Sequence, residues 1–270
     1  MVLEFSPNDI TALVSRGEAL LRKGELDRAM RDLDHAAECA PQNAQVFLTR
    51  GLIHARKKEH DAAIADFTRA AELTPDDALP YYNRGVAFTH AGRDTEAVAD
   101  FSKSIELNPR DSESYYNRGM ASRRLGKLDK AVADFTKSLE LHPGDADAHY
   151  NRGLALLEKG KPQEAVQDFT RCTTLDPRNA PAYYNRAMAN TRLGDLDAAI
   201  ADYTAALAIA PTDPDSYYNR ANVRRQKGDA SGALQDYEVF IRCAPKDYAH
   251  FVEQARKRIA ELKPAAGMSH

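Results

Sequence analysis

The chain has 270 residues, and its 37 Lys and Arg residues nearly balance its 40 Asp and Glu residues. The charges are interspersed without blocks of one sign, which argues against a nucleic-acid or membrane-surface partner. The first residues lack the basic region and apolar run of a signal peptide, and no stretch is apolar enough to span a membrane, so we expect a soluble, cytoplasmic chain.

The first nine residues match the end of a pattern that recurs further along the chain. Residues 2–7 align with residues 104–109, and both stretches end in proline. We therefore expect residues 1–9 to be the remnant of a preceding repeat followed by a helix N-cap. Such a remnant indicates either a piece of a longer repeat protein, which we favour, or a natural N-terminal remnant.

From residue 10 onward the sequence repeats every 34 residues. One marker is Asn-Arg followed by Gly or Ala, at residues 83–85, 117–119, 151–153, 185–187 and 219–221. A second marker, proline, keeps the same step from Pro7 to Pro245. A period of this length predicts stacked helical hairpins. The predicted repeats are 10–43, 44–77, 78–111, 112–145, 146–179, 180–213 and 214–247, with Ile10 at position 1.

Each repeat carries signals that start and stop two helices. An Asn or Asp two residues after each proline is expected to cap the next first helix, and these residues are Asp9, Asn43, Asp77, Asp111, Asp145, Asn179, Asp213 and Asp247. A glycine near position 15 suits the end of the first helix. The proline at position 32 ends the second helix.

These markers resemble the tetratricopeptide repeat (TPR) family. Its pattern has an aromatic residue at position 4, a small residue at 8, Ala at 20, an aromatic residue at 24 and Pro at 32. Position 20 is Ala in all seven repeats, and position 24 is Phe or Tyr in all but the first, which has Leu33. The resemblance implies an all-α fold, a right-handed TPR superhelix (α-solenoid) of helix-turn-helix repeats.

Two contacts between the helices of a hairpin are predicted. Gly85 at position 8 is expected to let Ala97 at position 20 approach closely. Arg84 at position 7 and Asp100 at position 23, which recur in every repeat, are expected to form an ion pair, the alternative being a row of substrate-binding arginines. Three cysteines are expected to be small core residues: Cys39, Cys172 and Cys243.

Residues 248–262 restart the pattern after the seventh repeat, with Phe251 at position 4 and Ala255 at position 8. No second helix follows, so we expect a C-terminal capping helix whose polar outer face is formed by Glu253, Gln254, Arg256, Lys257 and Arg258. Residues 263–270 lack the pattern and are expected to form a flexible tail.

The remaining face of the first helices carries two ladders of identical residues. Position 6 forms the Asn ladder, Asn83, Asn117, Asn151, Asn185 and Asn219, and position 5 forms the Tyr ladder, Tyr82, Tyr116, Tyr150, Tyr184 and Tyr218. An Asn amide offers a donor and an acceptor to an extended peptide backbone. Tyrosine supplies apolar area with a polar tip. Apolar position 9 and a basic rim complete the predicted peptide site, with Met120, Leu154, Met188 and Arg124.

The resemblance extends to the TPR superhelix of O-linked N-acetylglucosamine transferase, in which an Asn ladder holds extended peptides. It implies a non-catalytic scaffold that binds an extended segment of an unidentified protein or peptide partner in its concave groove. One alternative is that the ladders only pack. Others are a structural array that self-associates through its ends or convex face, or the TPR portion of a larger protein.

Several other functions lack the residues they need. The TPR carboxylate clamp for heat-shock chaperones requires basic residues at position 6, and none is present. No acid–base pair, phosphate loop or nucleophile breaks the repeat register. We therefore expect no enzyme activity, no cofactor and no metal.

Overall fold

The computed structural model of the chain describes residues 8–263. These residues form fifteen α-helices and one short 3-10 helix, with no strand among them, so the predicted all-α TPR fold is confirmed. The expectations for residues 1–7 and 264–270 lie outside the described residues. Within the described part, no helix combines the length and apolar character needed to cross a membrane.

Packing divides the chain into two compact units, Met1–Leu141 and His142–His270. The described helices of the N-terminal unit are α1 (Ile10–Lys23), α2 (Leu26–Cys39), α3 (Ala44–Arg56), α4 (His60–Leu73), α5 (Ala78–His90), α6 (Asp94–Leu107), α7 (Ser112–Arg124) and α8 (Leu128–Leu141). Those of the C-terminal unit are α9 (Ala146–Glu158), α10 (Pro162–Leu175), α11 (Ala180–Leu193), α12 (Leu196–Ile209), α13 (Pro214–Lys227), α14 (Ala230–Cys243), the 3-10 helix (Lys246–Tyr248) and α15 (Ala249–Leu262). Helices pack in consecutive pairs, α1 on α2 through α13 on α14.

The predicted N-caps are confirmed for the first helix of each pair. Asp111, for example, accepts hydrogen bonds from the backbone N–H groups of Glu113 and Ser114, which otherwise lack partners at a helix start. The same role falls to Asp9, Asn43, Asp77, Asp145, Asn179 and Asp213. The prediction that Asp247 caps a helix is wrong. Asp247 lies inside the 3-10 helix, and α15 begins after Tyr248 without a side-chain cap.

The turn inside a hairpin uses a left-handed residue. Six described glycines have positive φ, for example Gly126 at 70°, where a side chain would strain the backbone. In the second hairpin Lys58 takes this position with φ 62°. The periodic glycine therefore marks the turn, and its absence does not prevent the turn.

The glycine at position 8 has a different partner from the one expected. A Cβ atom on Gly85 would lie 2.8 Å from Cε1 of Phe101, the aromatic residue at position 24, and Ala97 is not among its nearest neighbours. The position-24 ring therefore lies nearest to the space that the glycine leaves open. In the sixth hairpin the same place holds Ala187, which is fully buried in one cluster with Tyr203.

The predicted Arg–Asp ion pair is present in all seven hairpins. In the third, Nε and Nη2 of Arg84 each donate to Asp100 at 2.7 Å. Nη1 of the same guanidinium donates to Thr68 of the preceding hairpin at 3.0 Å. The pair thus joins both helices of one hairpin to its neighbour, and this structural role accounts for the arginine row.

The three cysteines differ in accessibility. Cys172 is buried and Cys243 is half-buried, in agreement with a core role. Cys39 is exposed, so the expectation that it is a core residue is wrong. It is the last residue of α2 and is not among the buried residues of that helix.

Candidate functional site

The Asn ladder is held in place by its own amide hydrogens. In the N-terminal unit, Nδ2 of Asn117 donates to the Glu113 carbonyl at 3.0 Å and to Oη of Tyr82 at 3.2 Å. In the C-terminal unit, Nδ2 of Asn185 donates to the Pro181 carbonyl at 2.8 Å and to Oη of Tyr150 at 3.1 Å. An amide has two N–H donors, so both donors of these residues are used.

The other ladder residues follow parts of this arrangement. Nδ2 of Asn219 donates to Oη of Tyr184 at 2.8 Å, and Nδ2 of Asn83 donates to the Leu79 carbonyl. Asn151 is only 7% exposed, which makes it the least accessible member.

At Asn117 and Asn185 the Asn ladder offers an acceptor rather than the donor and acceptor expected from the sequence. Within residues 8–263, Oδ1 has no hydrogen-bond partner in four ladder residues: Asn83, Asn117, Asn185 and Asn219. At Asn117 and Asn185 both donors are already engaged. A ligand that binds there must therefore donate the hydrogen bonds.

Each tyrosine of the Tyr ladder contacts the aromatic ring at position 24 of its own hairpin. Tyr184 lies edge-on to Tyr203, with ring centroids 5.7 Å apart. The contact is also edge-on for Tyr218 and is tilted for Tyr82, Tyr116 and Tyr150. Burial raises the pKa of Tyr184 to about 12. The hydroxyl is therefore neutral at physiological pH, and it serves as acceptor for the next Asn.

The remaining predicted site residues have mixed roles. Met120, Leu154 and Met188 are half-buried, as expected for an apolar line that keeps some surface accessible. Arg124 donates to both carboxylate oxygens of Asp94 in the preceding hairpin, at 2.6 to 3.0 Å. Its guanidinium already has a counter-charge, so it contributes to packing between hairpins.

Two neighbouring pockets bring ladder residues of the C-terminal unit together. The first, here the Tyr184 pocket, has a volume of about 290 Å³, and its lining includes Tyr184, Asn185, Ala206, Asp213, Asp215 and Ser216. The second, the Tyr218 pocket, has a volume of about 200 Å³ and is lined by Asp215, Tyr218, Asn219, Phe240, Tyr248 and Phe251. Asp215 belongs to both. The predicted site did not include Asp215 at position 2 or Ser216 at position 3, although acids at position 2 (Glu113, Asp147 and Asp215) were a signal in the sequence.

The capping helix α15 completes the ladder rather than only shielding the end of the array. Gln254 accepts from Oη of Tyr218 at 2.8 Å. Arg258 donates to the same hydroxyl at 3.0 Å and also to Oδ1 of Asn222, and its guanidinium lies 5.3 Å from the centre of the Tyr218 ring. The expectation that these two polar residues form the outer face is therefore wrong, because they bind α13.

Stacked helical hairpins with a repeated inter-helix ion pair define a helical-repeat protein. Among the described residues, no cluster of three or more His, Cys, Asp or Glu side chains could hold a metal ion. Models of the family described as "Tetratricopeptide repeat" match residues 14–78, 48–112, 116–180, 180–213 and 202–235. The chain belongs to the tetratricopeptide repeat family.

Solved structures of other TPR proteins share the fold. The chain is similar to YrrB, described as a TPR protein with an unusual peptide-binding site, at 24% identity and a TM-score of 0.60, over 67% of this chain and 93% of YrrB. It is similar to MamA at 26% identity and a TM-score of 0.59, over 64% of this chain and 94% of MamA. The C-terminal part of a TPR protein from Cytophaga hutchinsonii gives a TM-score of 0.76 at 15% identity, over 91% and 99% of the two chains. A comparison with curated proteins gives no match.

Proposed function

We propose that the chain is a protein-interaction scaffold whose C-terminal unit binds an extended peptide segment of a partner protein. The observation that carries the proposal is the state of the Asn185 amide. Its two hydrogens bond to the Pro181 carbonyl and the Tyr150 hydroxyl, which fixes the side chain and leaves Oδ1 without a partner among the described residues, and Asn185 is one of the residues that line the Tyr184 pocket.

A row of fixed acceptors suits the backbone of an extended chain. A peptide that is not in a helix or sheet has N–H groups without protein partners, and an amide oxygen can accept from any of them regardless of side chain. The donor from Asn219 to Tyr184 shows the same anchoring one hairpin further on. Asn185 and Asn219 are therefore proposed to hold the partner's main chain.

The walls beside these acceptors provide area for side chains. Tyr218, Phe240 and Phe251 line the Tyr218 pocket, and aromatic rings bury much surface at little entropic cost. Met188 lies on the same helix as Asn185 and is half-buried. Each backbone hydrogen bond contributes only about 0.5–1.5 kcal/mol net, so binding requires main-chain and side-chain contacts together.

The N-terminal unit repeats the arrangement with Asn117, Tyr82 and Met120, and we propose that it offers a further stretch of the same kind. The likeness to YrrB, whose description names a peptide-binding site, supports the fold at that level of identity. The proposal itself depends on the hydrogen-bond geometry.

A display library of random dodecapeptides tests the proposal. Peptides enriched on the wild-type chain are titrated against the double variant Asn185→Ala/Asn219→Ala and against Gln167→Ala, a matched control on the exposed surface of α10. Loss of two hydrogen bonds, each about 0.5–1.5 kcal/mol, predicts an affinity about 5- to 100-fold weaker. The control is expected to bind like the wild type.

Circular dichroism accompanies each titration, because the amides also anchor Tyr150 and Tyr184. A double variant that keeps its helicity and its wild-type affinity would show that the ladders serve packing. Failure to enrich any peptide, combined with self-association in light scattering, would favour the structural-array alternative.

A further inference from the structure

We infer that the Tyr184 pocket accepts a Lys or Arg side chain of the bound segment. The inference rests on the proposed function and names the chemistry of the partner at one point of the site. Three features of the pocket carry it: its charge, an unpartnered hydroxyl and its apolar walls.

The pocket has two carboxylates and no cationic lining residue. Asp213 accepts from the backbone N–H of Ser216 at 2.9 Å, and Asp215 accepts from Oη of Tyr248 at 3.0 and 3.1 Å. These donors are neutral, so neither negative charge is compensated by them. Burial first, and then the charges of Asp215 and Asp213, raise the pKa of Tyr184, which agrees with a negative potential at the pocket wall.

The hydroxyl of Ser216 has no hydrogen-bond partner, and the residue is only 1% exposed. At the matched position in the N-terminal unit, Oγ of Ser114 donates to Asp111 at 2.5 Å and lies 3.0 Å from Oγ of Ser104. In the C-terminal unit the residue at the place of Ser104 is Ala206. Buried polar groups normally have partners, and a ligand ammonium or guanidinium would supply one here.

The other walls fit the stem of a long basic side chain. Ala180, Ala206 and Ala210 line the pocket beside the Tyr184 ring, and Lys and Arg commonly place their methylene groups on such surface while the charged head meets polar groups. A volume of about 290 Å³ is at the lower end for ligand sites, as expected for one side chain. An apolar side chain would desolvate both carboxylates without a counter-charge, and an acidic one would be repelled.

The test uses the dodecapeptides enriched on the wild-type chain. We expect a Lys or Arg at one fixed position, and its replacement by Ala should weaken binding to the wild type by about 10- to 100-fold, the range for a charge-assisted hydrogen bond. The same replacement should weaken binding to Asp215→Asn by clearly less than it weakens binding to the wild type, because one of the two carboxylates that the basic group meets is gone. Glu238→Gln, which removes one exposed acid from α14, is the matched charge control and should behave like the wild type.

A second variant tests the pocket without changing its charge. Ala206→Ser restores the partner that Ser114 has in Ser104 and narrows the pocket, so it should weaken the same peptides. The inference is overturned if enriched peptides depend on Asn185 but show no basic position, or if Asp215→Asn keeps the full preference for Lys or Arg. If no peptide is enriched, or if Asn185→Ala/Asn219→Ala binds the peptides like the wild type, the proposed function fails as well.

Discussion

Removing one partner of a single ion pair tests the account of how the hairpins are held. Asp100→Ala deletes the carboxylate that accepts two hydrogen bonds from Arg84. The guanidinium then keeps only the bond to Thr68 at 3.0 Å. Asp100 and Arg84 lie in α6 and α5, so the change affects the centre of one hairpin.

The expected loss of unfolding free energy follows from the low solvent exposure of both side chains. The Arg84 side chain is 18% exposed and the Asp100 side chain 8%. Stranding one member of a buried pair costs about 3–5 kcal/mol, and we expect the lower end because Arg84 keeps some contact with solvent. The matched control is Glu96→Ala, also on α6, which removes the ion-pair partner of Arg93. These two side chains are 45% and 44% exposed, so this change should cost about 0–1 kcal/mol.

Urea unfolding followed by circular dichroism measures the difference. The midpoint for Asp100→Ala should fall well below that of the wild type, while the midpoint for Glu96→Ala should stay close to it. A double-mutant cycle that includes Arg84→Ala isolates the pair from other effects of each change. Equal urea midpoints for Asp100→Ala and Glu96→Ala would mean that the Arg84–Asp100 pair is not effectively buried.

Two further predictions concern packing and accessibility. Gly119→Leu should destabilise the chain by about 1–3 kcal/mol or more, because even a Cβ atom would lie 2.9 Å from Phe135. The control Gly144→Leu should shift the urea midpoint little, because a Cβ atom there would have no neighbour within 4 Å. Similar urea midpoints for the two variants would contradict this prediction. A thiol reagent at pH 8 should modify the exposed Cys39 in the folded chain but Cys172 only after unfolding. Thiolate is the reactive form, and burial raises the pKa of the Cys172 thiol to about 11. Equal modification rates for the two cysteines in the folded chain would contradict this prediction.

Rules that act over a few residues were read correctly from the sequence. The N-caps follow from a side chain that meets the amides of the next turn, as at Asp111, and the Arg84–Asp100 pair follows from opposite charges that recur together. The apolar contacts across a hairpin were less predictable than this ion pair. Periodicity shows that Gly85 and its partner face each other, but the reach of the Phe101 ring decides which atoms touch.

The candidate site was predicted only in outline. The identity of the ladder residues is visible in the sequence, but the use of both Asn185 donors depends on a tyrosine one hairpin away. The Tyr184 pocket depends on residues that no local rule links, such as Ala206 and Ser216. At the C-terminus, tertiary contacts take over from the repeat, since Tyr248 binds Asp215 and Asp247 loses its capping role.

A crystal structure of the chain with an enriched dodecapeptide would show directly whether the Asn ladder binds a peptide backbone. We predict an extended peptide whose backbone nitrogens lie about 2.9 Å from Oδ1 of Asn185 and Asn219, with Nδ2 of Asn185 still bonded to Pro181 and Tyr150 and Nδ2 of Asn219 still bonded to Tyr184. A peptide bound on the second helices, or one whose carbonyl oxygens accept from Nδ2 of these residues in place of Tyr150 and Tyr184, would contradict it.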